Sequence, residues 1–87
     1  MSADILIVDD EADIRMLLSG ILEDEGYRVR TAHGDAEARR QVGLARPDLI
    51  FQDIWLQGST ADGIALLEEY QQSIPSTLVI KIGRAHV

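Results

Sequence analysis

Asp9 and Asp10 close the short apolar run Ile5-Leu6-Ile7-Val8, and Glu11 follows at once. Adjacent carboxylates repel one another, and a divalent cation is the usual remedy. An apolar run of this length, rich in β-branched residues and bounded by polar ones, reads as a buried strand. In an open α/β sheet, ligands bind beyond the carboxyl ends of the strands. A second run, Leu49-Ile50-Phe51, leads to another acid, Asp53. One complete strand-helix excursion lies between the two runs, and right-handed crossovers would set these strands side by side. Three carboxylates would then converge at one rim. Acids at the end of one strand would count as ordinary surface charge; on two strands with this spacing they point to a site. Hard oxygen ligands so clustered suit Mg²⁺, which keeps several waters and favours a phosphate as co-ligand.

The elements that must carry these acids follow from periodicity. Asp4 to Val8 is the first strand. Glu11 to Glu25 is expected to be a helix, because Ile14, Leu17, Leu18, Ile21 and Leu22 form one apolar stripe. Gly26 supplies its stop. Glu23, Asp24 and Glu25 sit at the helix end where acids oppose the dipole, and no structural reason for them is evident in the sequence. Arg28 to Thr31 reads as a second strand. Asp35 to Ala45 is a weaker helix, lowered in propensity by Gly43, interrupted on its apolar face by Arg39 and ended by Pro47. Leu49 to Phe51 is the third strand, and Gln57 to Thr60 a loop. A third helix is expected over Gly63 to Gln72, with Ile64, Leu67, Tyr70 and Ile74 on one side, and a fourth strand begins at Leu78 to Ile80. Strands alternating with amphipathic helices imply parallel βαβ units and an α/β fold.

Composition narrows the function classes. The 87 residues allow one small domain, and 46% hydrophobic with 26% charged residues marks it as globular. The net charge of −7, from 15 acids against 8 bases, argues against nucleic-acid binding by this segment, since phosphate contacts need clustered Lys and Arg. With no cysteine there is no disulfide and no Cys-based zinc site. Nothing resembles a signal peptide or a membrane span, so a cytoplasmic location is expected by default.

The sequence resembles a known family. Ile5-Leu6-Ile7-Val8-Asp9-Asp10-Glu11, then Pro47-Asp48-Leu49-Ile50-Phe51-Gln52-Asp53-Ile54-Trp55-Leu56, then Asp62-Gly63 ahead of a helix are similar to the receiver domain of bacterial two-component response regulators. The wording from Asp53 to Ser59 is most similar to NtrX-like nitrogen regulators. The resemblance implies a flavodoxin-like, doubly wound parallel sheet of strand order 2-1-3-4-5, here truncated after about the fourth strand. It implies that Asp53 is the phosphoacceptor, taking a phosphoryl group from the phosphohistidine of a sensor histidine kinase. It implies that Asp10 binds Mg²⁺ directly, that Asp9 acts nearby, often through water, and that Asp53 and the backbone carbonyl of Trp55 complete the protein ligands. Such a domain assists its own phosphorylation and is not a turnover enzyme. Gln52 and Arg39 depart from apolar residues usual in the family and put packing in doubt more than chemistry. His33 is expected to be a loop histidine, Tyr70 a core residue, and Gly63 a servant of the loop-to-helix geometry.

Residues 1–80 are thus expected to be a partial receiver domain. The family's Ser or Thr at the end of the fourth strand and its later Lys, both of which contact the phosphoryl group, have no counterpart. The ending Ile82-Gly83-Arg84-Ala85-His86-Val87 is the translation of ATC GGA AGA GCA CAC GTC, which looks like a common short-read sequencing adapter. Residues 81–87 are therefore expected to be read-through, with no functional weight on Arg84 or His86. Two other functions compete. A phosphohydrolase of the haloacid-dehalogenase type would carry Asp-x-Asp after its first strand, whereas Asp9 and Asp10 are adjacent. A phosphorylation-independent interaction module has no need of all three acids.

Overall fold

The computed structural model describes residues 2–56 and 60–83. Four strands, β1 (Asp4–Val8), β2 (Arg28–Ala32), β3 (Leu49–Asp53) and β4 (Leu78–Ile82), form one sheet in the order β2-β1-β3-β4. Helices α1 (Ala12–Asp24), α2 (Asp35–Leu44) and α3 (Thr60–Ser73) connect them. Every pairing is parallel, with Ile5 opposite both Val29 and Leu49, and Asp53 opposite Ile82. The expected βαβ reading and the adjacency of the first and third strands are both present. This is the flavodoxin-like doubly wound topology, carried here as far as its fourth strand.

Side chains alternate across a strand, and β1 is buried on both faces from Ile5 to Val8. Leu6, Val8, Ala32 and Ile50 turn to one side, where Ala38 of α2, Leu66 and Tyr70 of α3, and Ile74 just after it close the main core. Ile5 and Ile7 turn to the other side, that of α1. A strand packed on both faces must be apolar throughout, which is why the run Ile5-Leu6-Ile7-Val8 shows no alternation. No helix among the described residues is long and apolar enough to cross a membrane.

Gly26 ends α1 as the sequence suggested, and the geometry is that of a Schellman motif. Its φ is +91°, a value that favours glycine. The Gly26 N–H donates to the Glu23 carbonyl at 2.9 Å, and the Tyr27 N–H to the Leu22 carbonyl at 3.1 Å. At the C-terminus of α2 the cap comes from another element. Arg30 of β2 donates from Nη1 to the Gln41 carbonyl (2.7 Å) and from Nη2 to the Ala45 carbonyl (2.9 Å), while its Nε donates to Asp4 Oδ1 (3.0 Å). One guanidinium so joins β1, β2 and α2.

Four expectations change. Arg39 does not interrupt a core-facing stripe. Ala38 is the buried residue of α2, and Arg39 lies on the surface, where its Nε and Nη2 donate to Glu69 of α3 at 2.8 and 2.7 Å and its Nη1 to Asp35 at 3.0 Å. The buried face of α3 runs through Gly63, Leu66 and Tyr70, with Ile74 buried just past its end, while Ile64 is exposed. The helix begins earlier than its apolar residues suggested, and the face was assigned with the wrong member. Gln52 does not disturb packing, because it is fully buried with its amide bonded at both ends. The α1 stripe is only partly covered, with Leu17 at 60% and Ile21 at 52% exposure, since among the described residues no second helix shares that face.

Candidate metal and phosphoacceptor site

Val8, the last residue of β1, lies opposite Gln52, so Asp9 just after β1 and Asp53 at the end of β3 reach the same rim. Carboxylate oxygens of Asp9, Asp10 and Asp53 lie within 4.8 Å of one another. Asp9 and Asp53 are buried and Asp10 half-buried. An octahedral Mg²⁺ with ligands at about 2.1 Å sets neighbouring oxygens about 3 Å and opposite ones about 4.2 Å apart. The cluster is therefore close to the span of one ion, and its all-oxygen, fully anionic donor set is of the chemistry that Mg²⁺ takes.

Local hydrogen bonds aim two of these side chains. Asp9 Oδ1 accepts the Glu11 N–H at 2.8 Å, an Asx turn that carries the chain from β1 into α1. Arg15, one turn into α1, donates from Nη1 to the Asp9 carbonyl at 2.7 Å. After β3, Asp53 Oδ1 accepts the Trp55 N–H at 2.9 Å. The Ile54 N–H donates to the Ile82 carbonyl at 3.0 Å, which ties the turn to β4. Asp9 and Asp53 stand at the polar end of a groove of about 280 Å³ walled by Ile14, Leu17, Leu18 and Ile82.

Gly63 has a specific task here. A Cβ on it would stand 2.6 Å from both the Cα and the carbonyl oxygen of Ile54. Real Cβ atoms do not come that close to backbone, so only glycine lets α3 pack against the turn that follows Asp53.

Each acid singled out in the sequence thus falls in one cluster, and Trp55 lies in the turn beside it. His33 is exposed and pairs with Glu37 at 3.1 Å. Tyr70 is a core residue, 3% exposed. The 57–59 loop lies outside the described residues, as does the tail from Arg84. Sequence reasoning missed the role of Arg15 and the bond between Tyr70 and Gln52. The second had a signal: a glutamine facing a helix from an apolar strand, and a tyrosine on that helix's inner face.

The sequence pattern of the response regulator receiver domain matches residues 5–86. Over 83 residues the chain is 52% identical to the nitrogen assimilation regulatory protein NtrX of Azorhizobium caulinodans, an overlap of 95% of this chain and 18% of that protein. The crystal structure of the receiver domain of NtrX from Brucella abortus superposes with a TM-score of 0.83 at 50% identity, over 90% of this chain and 65% of that one. Response regulator TrrA of Thermotoga maritima, solved in complex with Mg²⁺-BeF, superposes with a TM-score of 0.84 at 32% identity, over 95% and 70% of the two chains. On this evidence the chain belongs to the response regulator receiver domain family of two-component systems, among its NtrX-like members.

Proposed function

We propose that this chain receives a phosphoryl group on Asp53 from a sensor histidine kinase, with Mg²⁺ held by Asp9, Asp10, Asp53 and the Trp55 carbonyl. The observation that carries the reading is the convergence of three carboxylates within 4.8 Å at the ends of two adjacent strands. Phosphoryl transfer asks mainly for in-line positioning and neutralised charge. Asp53 supplies the nucleophile: a carboxylate oxygen attacks phosphorus, the bond to the kinase histidine nitrogen breaks, and an acyl phosphate remains. Asp9, pinned by the Glu11 N–H, and Asp10 would hold the cation, whose charge would offset the repulsion between an anionic group and anionic side chains. TrrA, a relative at 32% identity, was solved in complex with Mg²⁺-BeF, which supports Mg²⁺ as the cation of this reading.

The chain spans 18% of the length of the Azorhizobium relative. We infer that it is the receiver segment of a longer cytoplasmic NtrX-like regulator with ATPase and DNA-binding regions, and that residues 81–87 are adapter read-through. Sequencing the gene past the Ile80 codon tests the last point, and ordinary genomic sequence there sinks it. The phosphoacceptor reading is tested by incubating the full-length native protein with acetyl phosphate and Mg²⁺ and measuring intact mass. A phosphoryl adduct that disappears in Asp53→Asn is expected. If the wild-type protein gains no adduct, the domain is a phosphorylation-independent interaction module instead.

A further inference from the structure

Asp53 turns toward the α1 groove, so its neighbour Gln52 turns the opposite way, into the layer between the sheet and α3. There Gln52 is fully buried. A primary amide in such a place costs free energy unless it is paired. Both ends are paired: Gln52 Nε2 donates to the Asp53 carbonyl at 3.0 Å, and the Tyr70 hydroxyl donates to Gln52 Oε1 at 2.8 Å. The polarity is forced by chemistry. A peptide carbonyl only accepts, so the amide group facing it must be the NH₂. That leaves the amide oxygen for Tyr70, and this oxygen also only accepts, so the phenol must be the donor. Burial raises the Tyr70 pKa above its ordinary value, which keeps that proton in place at any working pH.

The bond to the Asp53 carbonyl matters because that carbonyl and the Ile54 N–H belong to one rigid peptide plane. The Gln52 amide holds the plane by its oxygen. The next N–H along, from Trp55, is the one that meets Asp53 Oδ1. The orientation of this plane therefore sets the turn that aims the Asp53 carboxylate. We propose that Gln52 and Tyr70 are a positioning pair, a buried relay from α3 that fixes the Asp53–Ile54 peptide plane and thereby the aim of the phosphoacceptor. The proposal rests on Asp53 being that phosphoacceptor, and it adds what holds the residue in place. Neither side chain touches the reacting group; both act through Asp53.

The test compares wild type, Tyr70→Phe, Gln52→Leu and the double variant in the full-length native protein. Two quantities are read: the thermal midpoint, and the initial rate of adduct formation from acetyl phosphate at saturating Mg²⁺, well below that midpoint. Each single change is expected to slow phosphorylation about three- to tenfold, the scale of one net hydrogen bond. The double variant should be slowed by the same factor and not by the product, because both residues serve one relay. The midpoint should behave differently. Tyr70→Phe leaves Gln52 Oε1 buried without a partner and lowers it, whereas the double variant removes that orphaned amide oxygen as well and regains part of the loss. A rate that stays low while stability returns is a signature that a packing role does not produce. An unchanged rate in Tyr70→Phe, losses that multiply in the double variant, or a rate that recovers together with the midpoint overturns the proposal. Absence of any wild-type adduct is a separate failure, one of the phosphoacceptor reading itself, and this proposal would fall with it.

Discussion

Asp9, Asp10 and Asp53 place three carboxylates closer together than their charges favour, and the stability of the domain should register this. In the full-length native protein, Mg²⁺ is expected to stabilise the receiver by about 2.7 kcal/mol at a hundredfold excess over its dissociation constant, and so to raise its thermal midpoint. Asp53→Asn keeps an oxygen for the Trp55 N–H but removes one charge. Without Mg²⁺ it should therefore be more stable than wild type by on the order of 1 kcal/mol, and it should gain less from added Mg²⁺. Calorimetry with and without the ion measures both, and an Asp53→Asn variant less stable than wild type in chelator would contradict the repulsion. The acids were legible in the sequence because their position needs only strand ends and one crossover rule. The Gln52–Tyr70 bond was not. It spans 18 residues and depends on the rotation of α3, which the apolar pattern misjudged by offering Ile64 for the inner face in place of Leu66.

At the scale of elements, α3 is positioned by contacts of two kinds. At its start, Gly63 rests on the Ile54 backbone. Gly63→Ala should destabilise the receiver by about 1–3 kcal/mol, the range for overpacking, and should weaken Mg²⁺ binding as the turn after Asp53 is displaced. Chemical denaturation and an Mg²⁺ titration check the pair, and a neutral Gly63→Ala would show that the helix can shift without the site. Farther along, Arg39 joins α2 to α3. Its guanidinium, hydrogen-bonded to Glu69 and Asp35, holds both carboxyls below their ordinary values of 4.5 and 3.8. Both groups ionise more readily when folded. Their stabilising contribution is thus complete above those ordinary values and is lost as pH falls through the lowered ones. Stability should decline below about pH 4.5 for this reason, and Glu69→Gln should flatten that decline. At neutral pH the exposed, solvent-screened pair is worth only ~0.2–1 kcal/mol. Arg39 had read as a flaw in an apolar stripe. The helix was found correctly, but with no neighbour in view the sequence could not show that Arg39 faces the acids of α3.

For the molecule as a whole, the order β2-β1-β3-β4 was legible from alternating elements together with the family resemblance, while surface coverage was not. Met16, Leu17, Leu44 and Leu78 are each at least 60% exposed, and β4 pairs on one side only among the described residues. Apolar patches and open strand edges of this kind favour association. The 87 residues expressed alone are expected to be unstable or to aggregate, and a soluble monomer with one cooperative thermal transition in sedimentation and calorimetry would contradict this. The sheet order has one more consequence. β1 hydrogen-bonds to β2 on one side and to β3 on the other, and Arg30 braces its first residue against α2. Local opening begins where fewest bonds must break, so amide hydrogens in β4 should exchange with deuterated water first and those of β1 last. The acid pair Asp9-Asp10 then hangs from the slowest-exchanging strand of the domain. Asp53 sits one strand closer to the fraying edge, so the site is steadiest where it would gather its cation and more yielding where it would take the phosphoryl group.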